Sequence, residues 1–194
     1  MSTRNYKLAK FIPSILRPLL KCDEHFIKNS PHLVKKLGTL TVERDECLVS
    51  YDVVSLFTQM SVNECLDIVR SRLNSDNALS DRTNLTADEI MRATELCLKS
   101  TLFVYNRSLP KQTDGVAMGS PSSPTIVNLF MEELEERLLN STTLVPRVWW
   151  RYVDNTLDGG GPVVTSPIIT QEDECSNPTS TPWIPPSLYF MAAI

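Results

Sequence analysis

Histidine is scarce. The chain has two, His25 and His32, so a histidine-built metal centre or triad has little to draw on. Cysteine is thinly spread. The five, Cys22, Cys47, Cys65, Cys97 and Cys175, are odd in number and never at CxxC spacing. That excludes a zinc ribbon and a disulfide frame, and it fits free thiols in a reducing compartment. Long apolar runs are missing too; none approaches the ~20 residues that cross a bilayer. The start, "MSTRNYKLAKF", lacks an apolar core and a small-residue cleavage site. No secretion signal and no membrane anchor are expected, and location in nucleus or cytoplasm follows. Finally, basic residues are absent from the C-terminal stretch. Residues 158–194 hold four acids, Asp158, Glu172, Asp173 and Glu174, and no Lys or Arg. The formal charge of −4 therefore lies wholly there, and residues 1–157 balance 19 acids against 19 bases. A neutral body argues against a stand-alone nucleic-acid binder, which is usually basic.

What is present suits one globular domain. Hydrophobic residues make up 42% and charged residues 22% of 194, enough for a sizeable core. The texture changes at residue 158. Six of the 13 prolines follow it, along with Gly159-Gly160-Gly161, and no apolar period survives. The expected organisation is a folded body over 1–157 and a low-order Gly/Pro-rich tail over 158–194. No internal repeat is found.

Within the body, elements alternate. "YKLAKFIPSILRPLL" reads as a helix broken into short pieces at Pro13 and Pro18. "HFIKNSPHLVKKLGTL" reads as a loop and a short helix ending near Gly38. "CLVSYDVVSLF" (47–57) is a strand rich in β-branched and aromatic residues. Ser61 and Glu64 form a capping-box pattern before the stripe Cys65, Ile68, Val69 and Leu73. Thr86 and Glu89 repeat it before a helix to about Lys99, with Ile90, Ala93, Leu96 and Cys97 on one side. "TLFVYNRSLPKQT" is expected as a β-hairpin turning near Asn106 and Arg107. "MGSPSSPTIVNLFMEELEERLL" opens on a turn and becomes a long helix to about Leu139. "RVWWRYVDNTL" closes the body as a hairpin. This order predicts an α+β fold with an antiparallel sheet.

Three segments carry candidate chemistry. Asp52 stands in the most apolar strand, where a lone buried carboxylate is costly unless paired or bound to a cation. Alternatively it lies at the strand end facing a cleft, or caps the next turn. Asp154 ends the run Trp149-Trp150-Arg151-Tyr152-Val153, and Asp-Asn is ordinary turn chemistry. Taken alone, the turn reading is the stronger. Taken together, two carboxylates on adjacent strands of one sheet can converge on divalent cations, and Mg²⁺ needs few protein oxygens. In "DGVAMGSPSSP" (114–124), Gly115 and Gly119 permit close backbone approach to a ligand, or merely start a helix.

In this order, "SYDVVSLFTQMSVNECL", "LPKQTDGVAMGSPSSPTIVNLFMEELEE" and "WWRYVDNTL" resemble three consecutive palm motifs of reverse transcriptases, most closely the Penelope-like retroelement type. That group shows FDVxSLFTN, GVAMGSPxSP and RYVDD, and "YKLAKFIPSILRPL" is similar to its sequence as well. The resemblance spans about residues 5–157; the three motifs in this order are specific, and each one singly is not. It implies an incomplete right-hand polymerase palm with part of the fingers, its sheet packed on the helices after Ser61 and Ser122. It also implies RNA-directed DNA polymerase activity of a retroelement fragment, by two-metal nucleotidyl transfer. The cofactor would be Mg²⁺ or Mn²⁺, and the partners an RNA template, a DNA primer and deoxynucleotides. Asp52 and Asp154 would be the metal ligands, with Asn155 at the third catalytic position. Phe57 would stand at the steric gate against a ribose 2′-hydroxyl, although a core Phe is its plain reading. Gly119, Ser120, Pro121 and Tyr152 would line the nucleotide site, with Val153 supporting the turn. Lys111 and Gln112 would reach phosphate or template, or belong to a solvated hairpin.

The sequence departs from the group in three places. Asn155 replaces the second turn aspartate. A basic finger segment would precede Tyr6, and more palm and a thumb would follow the turn; neither is seen here, and no endonuclease motif is found. Impaired activity is the expectation. The alternatives are an inactive remnant acting as a nucleic-acid or protein interaction module, and an unrelated α+β binding protein. No oligomeric state follows from the sequence.

Overall fold

The structure, a computed structural model, describes residues 5–21, 25–43, 48–53, 55–102, 106–108, 110–141, 146–159 and 190–193. Two compact units divide the chain. One takes residues 1–21 and 57–135, the other 22–56 and 136–194.

The first unit is helical. Helix α1 (Tyr6–Leu16) buries Ala9, Ile12, Ile15 and Leu16, and a 3₁₀ turn (Arg17–Leu19) follows. The expected break at Pro13 does not occur: Pro13 lies inside α1. Its missing N–H leaves one carbonyl of the preceding turn without its helical donor, while the Pro13 carbonyl still accepts from Arg17. The change of geometry falls at Pro18 alone. Helix α2 (Ser30–Leu37) belongs to the second unit; beyond the single-turn helix α3 (Leu56–Gln59), helix α4 (Val62–Asn74) buries the whole expected stripe of Cys65, Ile68, Val69 and Leu73. A second single turn, α5 (Leu79–Arg82), is tied by Arg82 to the Asp76 carboxylate, which holds that carboxyl below its ordinary pKa.

Helix α6 (Ala87–Lys99) begins with the full reciprocal capping box of Thr86 and Glu89. Its buried stripe is Ile90, Met91, Thr94, Cys97 and Leu98, not the expected set. Leu96 is 50% exposed and Ala93 only partly covered. The stripe is rotated because α4 and α1 both pack on α6, and serving two neighbours widens and turns the buried face. Thr94 is tolerated there because its hydroxyl donates to the Ile90 carbonyl. The next hairpin turns at Asn106 and Arg107, whose φ values of 46° and 62° match a type I′ turn. Leu102 and Lys111 pair across it. Helix α7 (Ser123–Ser141) supplies Ile126, Val127, Leu129, Phe130, Met131 and Leu134 to the core.

The second unit is built on an antiparallel sheet. Strands β1 (Leu48–Val53), β2 (Val148–Tyr152) and β3 (Asn155–Gly159), with β4 (Phe190–Ala193), stand in the order β2-β3-β1-β4. Strand β3 runs across the boundary expected at residue 157, because Asp158 and Gly159 pair with Val49 and Leu48 on one side and with Trp149 and Val148 on the other. Of the expected low-order tail, 160–189 and 194 lie outside the described residues, and 190–193 forms a strand beside β1. The outer side of β2 is occupied by residues 25–27. Arg151 N–H donates to the His25 carbonyl (2.7 Å), Ile27 N–H donates to the Arg151 carbonyl (2.8 Å), and Phe26 forms a parallel bridge with Arg151. The α+β class expected from the sequence is present. No helix among the described residues is long and apolar enough to cross a membrane.

Candidate functional site: two carboxylates at a sheet hairpin

Strand alternation settles where Asp52 points. Tyr51 and Val53 are buried, and Asp52 between them is exposed. The cost of burying a carboxylate therefore does not arise. Asp52 is the register partner of Asn155, and Asn155 of Tyr152. These three side chains form one cross-strand row on one face. Val53 N–H donates to the Asp154 carbonyl at 3.2 Å. That bond flanks the Asp52–Asn155 pair, marking it as the non-hydrogen-bonded kind, with Cα atoms about 4.5 Å apart.

Asp154 occupies the hairpin turn beside the row. Two residues, Val153 and Asp154, join β2 to β3. Val153 has φ +58°, in the first position of a tight turn that normally takes glycine. A β-branched residue there is strained by about 1–3 kcal/mol. The Asn155 amide donates to Asp154 Oδ1 at 3.2 Å. So the residue standing where a second acid was expected spends its amide on the first.

The oxygen donors suit a hard cation. Two accessible carboxylates, one strand apart, match the few protein ligands Mg²⁺ takes before water and phosphate fill its shell. No group of three or more His, Cys, Asp or Glu side chains able to hold a metal occurs among the described residues.

Apart from Tyr152 on β2, the remaining expected residues belong to the first unit. Phe57 is half-buried, and its carbonyl accepts from Val116 N–H at 2.6 Å. Gly119 is exposed, and a Cβ added to it would meet nothing within 4 Å. Its lack of a side chain is thus not required by the chain's own packing. Ser120 and Pro121 are partly covered, and the Ser120 hydroxyl bonds that of Ser122 at 3.0 Å. Tyr152 is 48% exposed. Lys111 is exposed, whereas the Gln112 amide closes its own loop onto the Asp114 carbonyl at 2.9 Å.

Sequence reasoning missed Asp114. The capping box expected at Ser61 does not form, as the Ser61 side chain makes no cap bond. Asp114 Oδ1 instead accepts from Val62 N–H (3.1 Å) and Gly115 N–H (2.9 Å). A carboxylate from 52 residues away does the work expected of the local hydroxyl, with the added benefit of a negative charge at a helix N-terminus. Asp114→Ala is expected to lower stability by about 1 kcal/mol, and Ser61→Ala by far less; urea titration of the two variants checks this. Cys65 beneath the cap is no nucleophile. Burial, aided by Glu64 and Asp114, pushes its thiol up to about 12.

No protein-family model matches the sequence, and no curated protein matches it. Solved structures do. The chain is similar to apo telomerase from Candida tropicalis, at 11% identity and a TM-score of 0.56 over 80% of this chain and 31% of that one. A form of that protein truncated from the C-terminal domain gives 14% identity and a TM-score of 0.51, over 79% and 33%. Its complex with the TWJ fragment of telomeric RNA gives 11% and 0.54, over 81% and 29%.

The fold is similar to that of these telomerase structures. At these identities the likeness is one of fold alone, and the chain spans about a third of the telomerase chains it matches.

Proposed function

We propose that this chain is part of an RNA-directed DNA polymerase of the Penelope-like retroelement type, impaired by the loss of one acid. One observation carries the reading: Asp52 stands opposite Asn155 on a shared sheet face, with Asp154 in the adjoining turn. Asp52 and Asp154 would hold Mg²⁺ or Mn²⁺, which in such sites activates an attacking oxygen and stabilises a leaving one. Asn155 keeps the shape of an aspartate but removes a full charge from the site. Phe57 would exclude a ribose 2′-hydroxyl, and the open approach at Gly119 with Ser120 and Pro121 would admit the nucleotide. An RNA template and a DNA primer would be the partners.

Primer extension with deoxynucleotides on an RNA template, in Mg²⁺ or Mn²⁺, tests the reading. The Asn155→Asp protein is expected to extend at least tenfold faster than wild type, and Asp52→Ala to abolish extension in both backgrounds. Extension that survives Asp52→Ala overturns the assignment.

Asn155 also favours a second reading, an inactive remnant that binds nucleic acid. It is supported if neither the wild type nor Asn155→Asp extends a primer while both retain an RNA–DNA duplex in a filter-binding assay.

A further inference from the structure

Among the described residues, Arg151 is the largest of the fully buried side chains, at 2% exposure. Nothing in the sequence reading gave it a role. It stands two residues before Val153 and faces away from Tyr152, Asn155 and Asp52 by strand alternation. A guanidinium is costly to bury, so its surroundings matter. Its Nη1 donates to the Val153 carbonyl at 3.4 Å, and its head lies 5.8 Å from the centre of the Phe26 ring. Its backbone N–H and carbonyl are both bonded to residues 25–27 on the outer side of β2.

We infer that Arg151 is a positioning residue for Asp154: it clamps the carbonyl of the left-handed Val153 from beneath the sheet and so fixes the turn that presents the carboxylate. A strained conformation persists where its neighbours over-determine it. Two bonds do so here. Val53 N–H holds the Asp154 carbonyl from β1, and Arg151 holds the Val153 carbonyl from β2. In a site shielded from water a charged donor grips a carbonyl more firmly than it would in solvent. Arg151 acts through the backbone of the turn, by its bond to the Val153 carbonyl. The metal part of this inference rests on the reading of Asp52 and Asp154 given above, while the clamp on the turn does not.

The test uses the full chain with Arg151→Met, Arg151→Lys, Val153→Gly, and the pair Arg151→Met with Val153→Gly. Two quantities are read: amide hydrogen exchange at Val53 and Ile27, and affinity for Mn²⁺ alone by electron paramagnetic resonance. Arg151→Met is expected to speed exchange at Val53 and weaken Mn²⁺ binding roughly tenfold, as loss of a supporting shell does. Adding Val153→Gly should restore most of both, because glycine adopts the left-handed turn without a clamp. If Arg151→Met speeds exchange at Ile27 but leaves Val53 and Mn²⁺ affinity unchanged, the residue merely fastens residues 25–27 and the inference is overturned. An equal loss with and without Val153→Gly overturns it as well. Should Arg151→Met not fold, Arg151→Lys carries the same readings, and unchanged exchange at Val53 in that protein overturns it. Asp52→Ala separates the two proposals. If Asp52→Ala leaves Mn²⁺ affinity intact, the metal reading fails while exchange at Val53 still decides the clamp.

Discussion

The Asn155→Asp protein is expected to be less stable than wild type in a chelator and more stable than wild type in millimolar Mn²⁺. The reason is the register. Asp52 and position 155 are direct cross-strand partners of the closer kind, and like charges so placed destabilise a sheet by roughly 0.2–1 kcal/mol. The substitution also removes the amide that donates to Asp154 Oδ1 and sets a third carboxylate beside the other two. A loss of about 1–2 kcal/mol without metal follows. A divalent cation reverses the sign. The wild type also binds through Asp52 and Asp154, so the affinity ratio decides: at saturating metal, a site a hundredfold tighter with the third acid gains about 2.7 kcal/mol more than the wild type. Urea titrations of both proteins, with chelator and with Mn²⁺, should therefore cross. If Mn²⁺ shifts the two midpoints equally, the three positions do not form a cation site.

The second large effect concerns two glycines four residues apart. Gly115→Ala is expected to cost at least ~2 kcal/mol, and Gly119→Ala less than ~0.5 kcal/mol. Gly115 has φ +78°, and a Cβ there would lie 2.9 Å from the Thr58 carbonyl oxygen and 3.0 Å from the Thr58 Cα. Both are backbone atoms, and the adjoining Phe57 carbonyl is bonded to Val116 N–H, so the neighbour has little freedom to retreat. Dihedral strain and overlap thus act together. Gly119 has neither problem. Thermal melts separate the two. If Gly119→Ala nevertheless lowers primer extension in the Asn155→Asp background, the open space above Gly119 is where a ligand approaches. Equal stability losses in the two variants would mean that Gly119 is structural as well.

Much of this was legible because the relevant forces are local. The Thr86–Glu89 box, the type I′ turn at Asn106-Arg107 and the apolar stripe of α4 each depend on residues a few positions apart. What could not be read depends on distant partners. Asp114 takes over the start of α4 from across the sequence. The stripe of α6 turns because two helices pack on it. Arg151 lies in a segment that reads as a plain alternating strand, and its neighbours His25 and Phe26 come from far upstream. The carboxylate pair falls between these cases. Both residues and the intervening motif were visible, but which face Asp52 occupies was not. One residue of register would have turned it inward.

The long-range cap on α4 also bears on the order in which the molecule assembles. Val62 N–H finds its acceptor only after the chain up to Asp114 has doubled back, and closing so long a loop carries an entropic toll that local contacts escape. The central turns of α4 can therefore condense with α6 early, while the opening turn waits. Interactions that mature after the rate-limiting barrier govern how fast a protein comes apart rather than how fast it forms. Asp114 is then a brake on unfolding.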